Sequence, residues 1–280
     1  MTDKTTNYAH VRGLSRGLAI LKALNQMQSG HASSQQLSQM VGLHRTTVRR
    51  LLETLITEGL VRRSDSDDTY RLTIKVRELS EGFTDDEWIS SMAAPLMGEL
   101  MQRIVWPSDL TTSDGSEMII RETTHRYSPL SFHRAMVGRR LPMLLTSAGR
   151  AYFANINDSE QENILSLLRS GSAGEEQAAL ANDSAYIKNL IRSVRNAGFA
   201  WNRGDWSDQQ KISAIAVPII HRTRVLGCLN VVYLTKAMSK KEAEVKFIQP
   251  LQDISSKIES MMEKQQLLIE SKNSRDACEK

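Results

Sequence analysis

The chain has little cysteine, no long apolar run and no catalytic signature, and each lack removes a class of protein. Its two cysteines, Cys228 and Cys278, are 50 positions apart with no C-x-x-C pair, which excludes a disulfide framework and a zinc ribbon. No apolar run approaches the ~18 residues that a membrane-spanning helix requires. The opening segment MTDKTTNYAH is polar and carries no apolar core of an export signal. These lacks lead us to expect a cytoplasmic protein with no membrane partner. There is no G-x-S-x-G, no Walker loop and no dinucleotide fingerprint. Cys228 lies in an apolar segment, where a cysteine is ordinarily an inert core residue. An enzyme is therefore not expected. The six histidines, at positions 10, 31, 44, 125, 133 and 221, show no metal-ligand spacing, so neither a metal nor another cofactor is expected.

What is present reads as a folded protein of two domains. The 280 residues are 40% apolar and 24% charged, the balance of a globular chain. The net charge of +4 is placed unevenly. Residues 1–80 hold twelve Lys and Arg against seven Asp and Glu, whereas the remainder holds 24 against 25. A basic excess confined to the first 80 residues points to a polyanionic partner for that segment.

Periodicity divides the basic segment into a compact series of elements. Leu14, Leu18, Leu21 and Leu24 fall at helical spacing, and Ser29-Gly30 ends that helix. Ser33 with Gln36 forms a capping box for a second helix, whose apolar face is Leu37, Met40 and Val41. Gly42 supplies the turn into a third helix with a buried stripe of Val48, Leu51, Leu52, Leu55 and Ile56. LVRR and TYRLTIK then alternate around SDSDD as a hairpin. Helix, helix, glycine turn, helix and hairpin is the winged helix-turn-helix layout, and we place this domain at residues 11–74.

Residues 75–105 read as linker helices and 106–265 as a mixed α/β domain, with 266–280 expected to be a disordered tail. In the second domain, Asp114-Gly115 marks a tight hairpin. SPLSFHR, KISAIAVPII and RVLGCLNVVYL read as strands, the last buried on both faces. TSAGRAYFANI, SEQENILSLLR, SAYIKNLIRSVRNAG and a segment from Lys240 through a kinking Pro250 read as helices. The overall class is α+β.

The third helix carries the chemistry. Its early outward positions hold Arg45, Thr46, Thr47, Arg49 and Arg50. Arginine bonds guanine O6 and N7 bidentately, and threonine reaches bases, the thymine methyl or phosphate. A solvated cationic helix face is the bland alternative, and the capped helix before it and hairpin after it count against that reading. In the wing, Arg62, Arg63 and Arg71 are placed to touch phosphates, with Asp65, Asp67 and Asp68 at a tip that points away.

GLSRGLAILKAL, HRTTVRRLLETLITEGLV, YRLTIKVREL, VGRRLPMLLTSAGRAYFA, GFAWNRGDW and ISAIAVPIIHRTRVLGCLNVVYL, in that order, resemble the IclR family of transcription regulators over about residues 11–262. HRTTVRRLLETL, RLTIKVRELSEGF, RETTHR and SFHRAMVGRRLP are most similar to members that activate hydroxyphenylpropionate catabolism. The resemblance implies a GAF-like effector-binding domain, homodimers that pair into homotetramers, and a palindromic double-stranded operator. For an activator it also implies contact with RNA polymerase. Carried onto this chain, the family's effector positions fall at Leu130, His133, Leu141, Ser147, Ala148, Asp205, Ala214, Asn230 and Val232. Family members that bind very small oxoacids carry cysteine and serines where Ala214, Asn230 and Val232 stand, so this pocket is expected to be roomier and to suit a small aromatic carboxylic acid. Arg134, Arg126 or His133 is positioned to pair with its carboxylate, although a surface arginine or a satisfied histidine reads the same way. Two alternatives stay open: a repressor answering another small organic acid, and a C-terminal domain that only assembles oligomers.

Overall fold

The computed structural model of the chain describes the backbone of residues 11–27, 29–64, 66–79, 88–131, 133 and 135–278, and side chains up to residue 267 apart from Asp208. Contacts divide it into two compact units, Met1–Thr84 with Phe132–Ala135, and Asp85–Ser131 with Met136–Lys280. No helix among the described residues is long and apolar enough to cross a membrane.

The first unit contains α1 (Arg12–Gln26), β1 (Ala32–Ser33), α2 (Ser34–Val41), α3 (Arg45–Thr57), β2 (Val61–Arg63), β3 (Thr69–Leu72) and α4 (Lys75–Glu78). Its core gathers Ile20, Leu24, Leu37, Val48, Leu52 and Tyr70. The α3 stripe works as its spacing predicts, with Val48, Leu52 and Leu55 buried and Leu51 and Ile56 partly so. Each fully buried aliphatic side chain contributes roughly 1.5–3 kcal/mol, so this stripe holds the helix to its domain. α1 differs from the expectation. Its buried arc is Ile20, Ala23 and Leu24, while Leu14 and Leu18 are exposed. The wing has a third strand as well, because β1 pairs with β3 (Ala32↔Tyr70) in the order β1-β3-β2.

The second unit begins with a π-helical turn (Ile89–Ala93) that runs into α5 (Ala94–Ile104). It continues through β4 (Ser108–Asp114), β5 (Glu117–Thr123), β6 (Arg140–Pro142), α6 (Ser147–Asn155), α7 (Asp158–Arg169), α8 (Glu175–Asn182) and α9 (Ser184–Ala197). It ends with β7 (Ala200–Arg203), β8 (Ile212–His221), β9 (Arg224–Leu234) and α10 (Lys240–Cys278). The strands form one antiparallel sheet in the order β6-β5-β4-β9-β8-β7. α5 and α10 cover one face over Leu110, Ile215, Val217, Leu229 and Val231. α6, α7 and α9 cover the other over Met118, Ile120, Ala216 and Cys228. β9 lies centrally, and helices on both sides explain its unbroken apolar run.

Several expectations need correction. The segment 128–134 is not a strand at its described residues. Tyr127 and Ser128 both donate their N–H groups to the Thr124 carbonyl, and Pro129 follows in a turn. The tail is not without structure up to residue 278, since α10 runs on to Cys278 with no glycine or proline after Pro250 to stop it. α10 also passes through Pro250 as one helix. The units divide at 84/85, within residues 75–105: α4 groups with the first unit and α5 with the second, where Met97, Leu100 and Ile104 join the core.

Candidate DNA interface and effector site

The helix-turn-helix is held by local chemistry. Gln36 donates its N–H to Ser33 Oγ (3.3 Å), and the Ser33 N–H donates to Gln36 Oε1 (2.9 Å), completing the capping box. Gly42 closes α2 at φ 64°, a left-handed conformation that costs glycine little. His44 then caps α3, accepting the Thr46 N–H at Nδ1 (3.4 Å). Arg45, Thr46, Arg49 and Arg50 are exposed, and Thr47 is half-buried. Two of these groups have partners already. Arg45 Nε donates to Ser34 Oγ (3.1 Å), which leaves its terminal nitrogens outward, and the Thr46 hydroxyl lies 2.8 Å from His44 Nδ1.

The wing is less uniformly cationic than its composition. Arg63 donates from Nε to Asp68 Oδ1 (2.8 Å), and Arg71 pairs with Asp67 at 3.4 Å. Hydrogen bonds from Thr69 and Ser64 hold the Asp67 carboxyl well below the usual carboxylate range. Arg62 is exposed and has no ionic partner among the described residues. Asp67 and Asp68 at the tip therefore fold back onto wing arginines.

In the second unit, strand register assembles a layer of small side chains with a few polar groups beneath α6. Ala214 pairs with Val232, Ala216 with Asn230, Asp109 with Asn230, and Asn202 with Ala214. Leu229 and Val231 face α10, so alternation turns Asn230 to the α6 side, as it does Cys228. The first turn of α6 is pinned onto this layer, because the Ser147 N–H donates to Asn202 Oδ1 (3.0 Å). The Gly149 N–H donates to Thr146 Oγ1 (3.2 Å), which leaves Ala148 as the first-turn donor still available. Gly149 is required here, since a Cβ would sit 2.1 Å from the Met143 carbonyl. The layer is built from small side chains (Ala214, Ala216, Ser147, Ala148) around the buried Asn202 and Asn230.

The structure thus brings together Ser147, Ala148, Ala214, Asn230 and Val232. The other candidates stand apart. Leu141 is buried on β6 but pairs with Met118, whose β4 partner Ser113 is four residues along from Asp109. At ~3.3 Å per residue that is roughly 13 Å toward the other end of the face. Leu130 lies in a turn and is 38% exposed. His133 is half-buried in a segment that groups with the first unit. Arg134 lies outside the described residues. Asp205 is occupied, because Arg150 donates to it (2.7 Å) and to the Leu144 and Trp201 carbonyls. Arg126 is exposed, with its guanidinium over the Tyr127 ring.

Sequence reasoning passed over Asp109 and His125. Asp109 accepts from Thr123 Oγ1 (2.7 Å) and from Asn230 Nδ2 (3.3 Å), with His125 Nε2 3.6 Å away. No local motif marks them, since an aspartate at the start of a strand reads as a loop residue. Among the described residues, no cluster of three or more His, Cys, Asp or Glu side chains could hold a metal ion.

A capped helix-turn-helix with an outward cationic helix, followed by a helix-covered sheet domain, defines a DNA-binding regulator with a separate sensing or assembly domain. The IclR helix-turn-helix domain model matches residues 13–65, and the model of the bacterial transcriptional regulator IclR C-terminal matches residues 83–260. The chain belongs to the IclR family of transcriptional regulators and is accordingly a DNA-binding regulator, not an enzyme. It is 28% identical to the Pca regulon regulatory protein of Pseudomonas putida over 84% of this chain and 78% of that one. It is 26% identical to the HTH-type transcriptional regulator XynR of Escherichia coli over 83% and 90% of the two chains. Its fold is similar to the IclR crystal structure from Thermotoga maritima (TM-score 0.62, 16% identity, covering 90% of this chain and 99% of that one). It is also similar to an IclR homologue from Microbacterium hydrocarbonoxydans complexed with 4-hydroxybenzoate (TM-score 0.57, 20% identity, covering 89% and 98%).

Proposed function

We propose that this regulator is a cytoplasmic activator of an aromatic-acid catabolic operon, answering a small aromatic carboxylic acid of the hydroxyphenylpropionate type. The observation that carries this reading is the layer under α6, where small side chains surround a few buried polar groups. An apolar site with sparse fixed polar groups suits an aromatic ring better than a two-carbon oxoacid. The bound 4-hydroxybenzoate of the Microbacterium homologue supports the ligand class. The ligand carboxylate is assigned to the first turn of α6, where the Ala148 N–H and the helix dipole favour an anion. On the DNA side, Arg45, Thr46, Thr47, Arg49 and Arg50 meet the major groove of a palindromic operator, and Arg62 and Arg63 meet phosphates. The protein acts as a homodimer or homotetramer, and as an activator it contacts RNA polymerase. The effector shifts the equilibrium between two operator-bound states only by its differential affinity for them.

A thermal melt with and without meta-hydroxyphenylpropionate tests the ligand class. At about 100 times its dissociation constant a ligand stabilises the folded state by roughly 2.7 kcal/mol, and a domain that only assembles oligomers shows no shift. Relatives named as repressors, among them the transcriptional repressor IclR of Escherichia coli at 25% identity, favour the opposite direction of control. A reporter behind the bound promoter decides it: expression that rises on deleting the regulator overturns activation.

A further inference from the structure

Asn230 presents an unusual pairing. Its side chain is 3% exposed, Nδ2 donates to Asp109 Oδ2 at 3.3 Å, and Oδ1 is buried without a hydrogen-bond partner. A buried amide acceptor left unpaired carries a desolvation cost, and native structures rarely retain one without a reason. The amide is not free to reverse. Turning it over would set Oδ1 against the Asp109 carboxylate, acceptor against acceptor. Asp109 is itself 1% exposed and is held by the Thr123 hydroxyl at 2.7 Å, with His125 Nε2 3.6 Å from Oδ1 and His125 Nδ1 2.6 Å from Ser131 Oγ. The orientation of Asn230 is thus set by a second residue 121 positions away, brought beside it by the β4–β9 register.

We propose that Asp109 is a positioning residue for effector specificity: it locks the Asn230 amide so that Oδ1 accepts a hydrogen bond from a hydroxyl on the effector. This inference rests on the effector site proposed above and adds which end of the ligand lies where. The ligand carboxylate is placed at the other end of the layer, because Asn230 Oδ1 and the Asp109 oxygens are acceptors that a carboxylate has no proton to satisfy. A ring hydroxyl is complementary, since its O–H donates to Oδ1. A methoxy or fluoro substituent has no proton to give and leaves Oδ1 unpaired. A site built around a buried acceptor rejects an analogue that lacks the donor far more strongly than an apolar pocket rejects a change in size.

The test is calorimetric titration of the full-length protein with phenylpropionate, meta-hydroxyphenylpropionate and meta-methoxyphenylpropionate. The wild type is expected to bind the hydroxylated acid at least about tenfold tighter than the other two. Asn230→Leu is expected to bring the three acids within about twofold of one another, because no acceptor remains to discriminate them. Asp109→Asn, which keeps shape but frees the Asn230 amide to turn, is expected to lose most of the preference. Asn230→Thr, which restores a hydroxyl acceptor, is expected to regain part of it. Equal wild-type affinity for the three acids overturns the inference and leaves the aromatic-acid reading standing, as does a preference that survives in Asn230→Leu. Absence of binding by all three overturns both. The wild-type comparison needs no variant to fold, so the inference is exposed to refutation in any case.

Discussion

Arg45 Nε donates to Ser34 Oγ at 3.1 Å, tying the first residue of α3 to the first residue of α2. The bond fixes the guanidinium stem and leaves the terminal nitrogens outward. Arg45→Ala and Ser34→Ala are therefore expected to weaken operator binding through one shared interaction. Their effects in a double-mutant cycle, read by fluorescence anisotropy, should fall short of additivity by more than about 0.5 kcal/mol. Additive losses would remove Ser34 from the interface. Arg49→Ala and Arg50→Ala are each expected to cost about 1–3 kcal/mol on the operator if they read a base, and equally on all sequences if they touch phosphate.

Arg62 and Arg63 in the wing differ in what already neutralises them. Asp68 engages Arg63, whereas Arg62 has no such partner among the described residues. Arg62→Ala is expected to reduce the slope of log affinity against log salt by about one, as one fewer phosphate contact requires. Arg63→Ala is expected to change it less. The reverse order would show that Asp68 releases Arg63 on binding DNA.

Val105 closes α5 at φ 65° and ψ −31°, a conformation β-branched residues avoid. Its carbonyl accepts from Ser128 Oγ (2.7 Å), which holds it there. Such a residue stores about 1–3 kcal/mol of strain, part of which glycine would return as chain entropy in the unfolded state. Val105→Gly is expected to raise stability by about 1 kcal/mol in urea denaturation, and a lowered midpoint would show that the side chain packs more favourably than the backbone is strained.

Acid is expected to loosen α10. Hydrogen bonds from Arg103 and Gln249 hold the Asp253 carboxyl below the usual carboxylate range, and Arg222 and His221 do the same for Glu263. A carboxyl whose folded pKa is depressed contributes stability that is fully present above its unfolded value and is lost as pH falls through the folded one. The melting temperature should therefore decline below about pH 5, and the decline should be shallower in Arg103→Ala and Arg222→Ala. Both carboxylates are half-buried and still reached by solvent, so the effect is modest. An unchanged pH profile in these variants would assign acid sensitivity elsewhere.

Local chemistry made the first unit readable. Ser33, Gln36, Gly42 and the α3 stripe act over three to eight residues, so their caps, turn and buried face follow from neighbours in the chain. The Asp114-Gly115 hairpin and the apolar run of β9 were legible for the same reason. Short elements were not: β1 has two residues and β6 three, too few for a period to show, and each exists only because a longer strand lies beside it. The pairing of Asp205 with Arg150 was hidden as well, since nothing local joins residues 55 apart. Sequence alone determined that a capped helix and a glycine turn would lead into a cationic helix turned outward. Only the tertiary structure decided that Asn230 would stand beside Asp109, because strand register is a long-range choice and the polarity of a strand residue does not reveal whether it meets water or a partner.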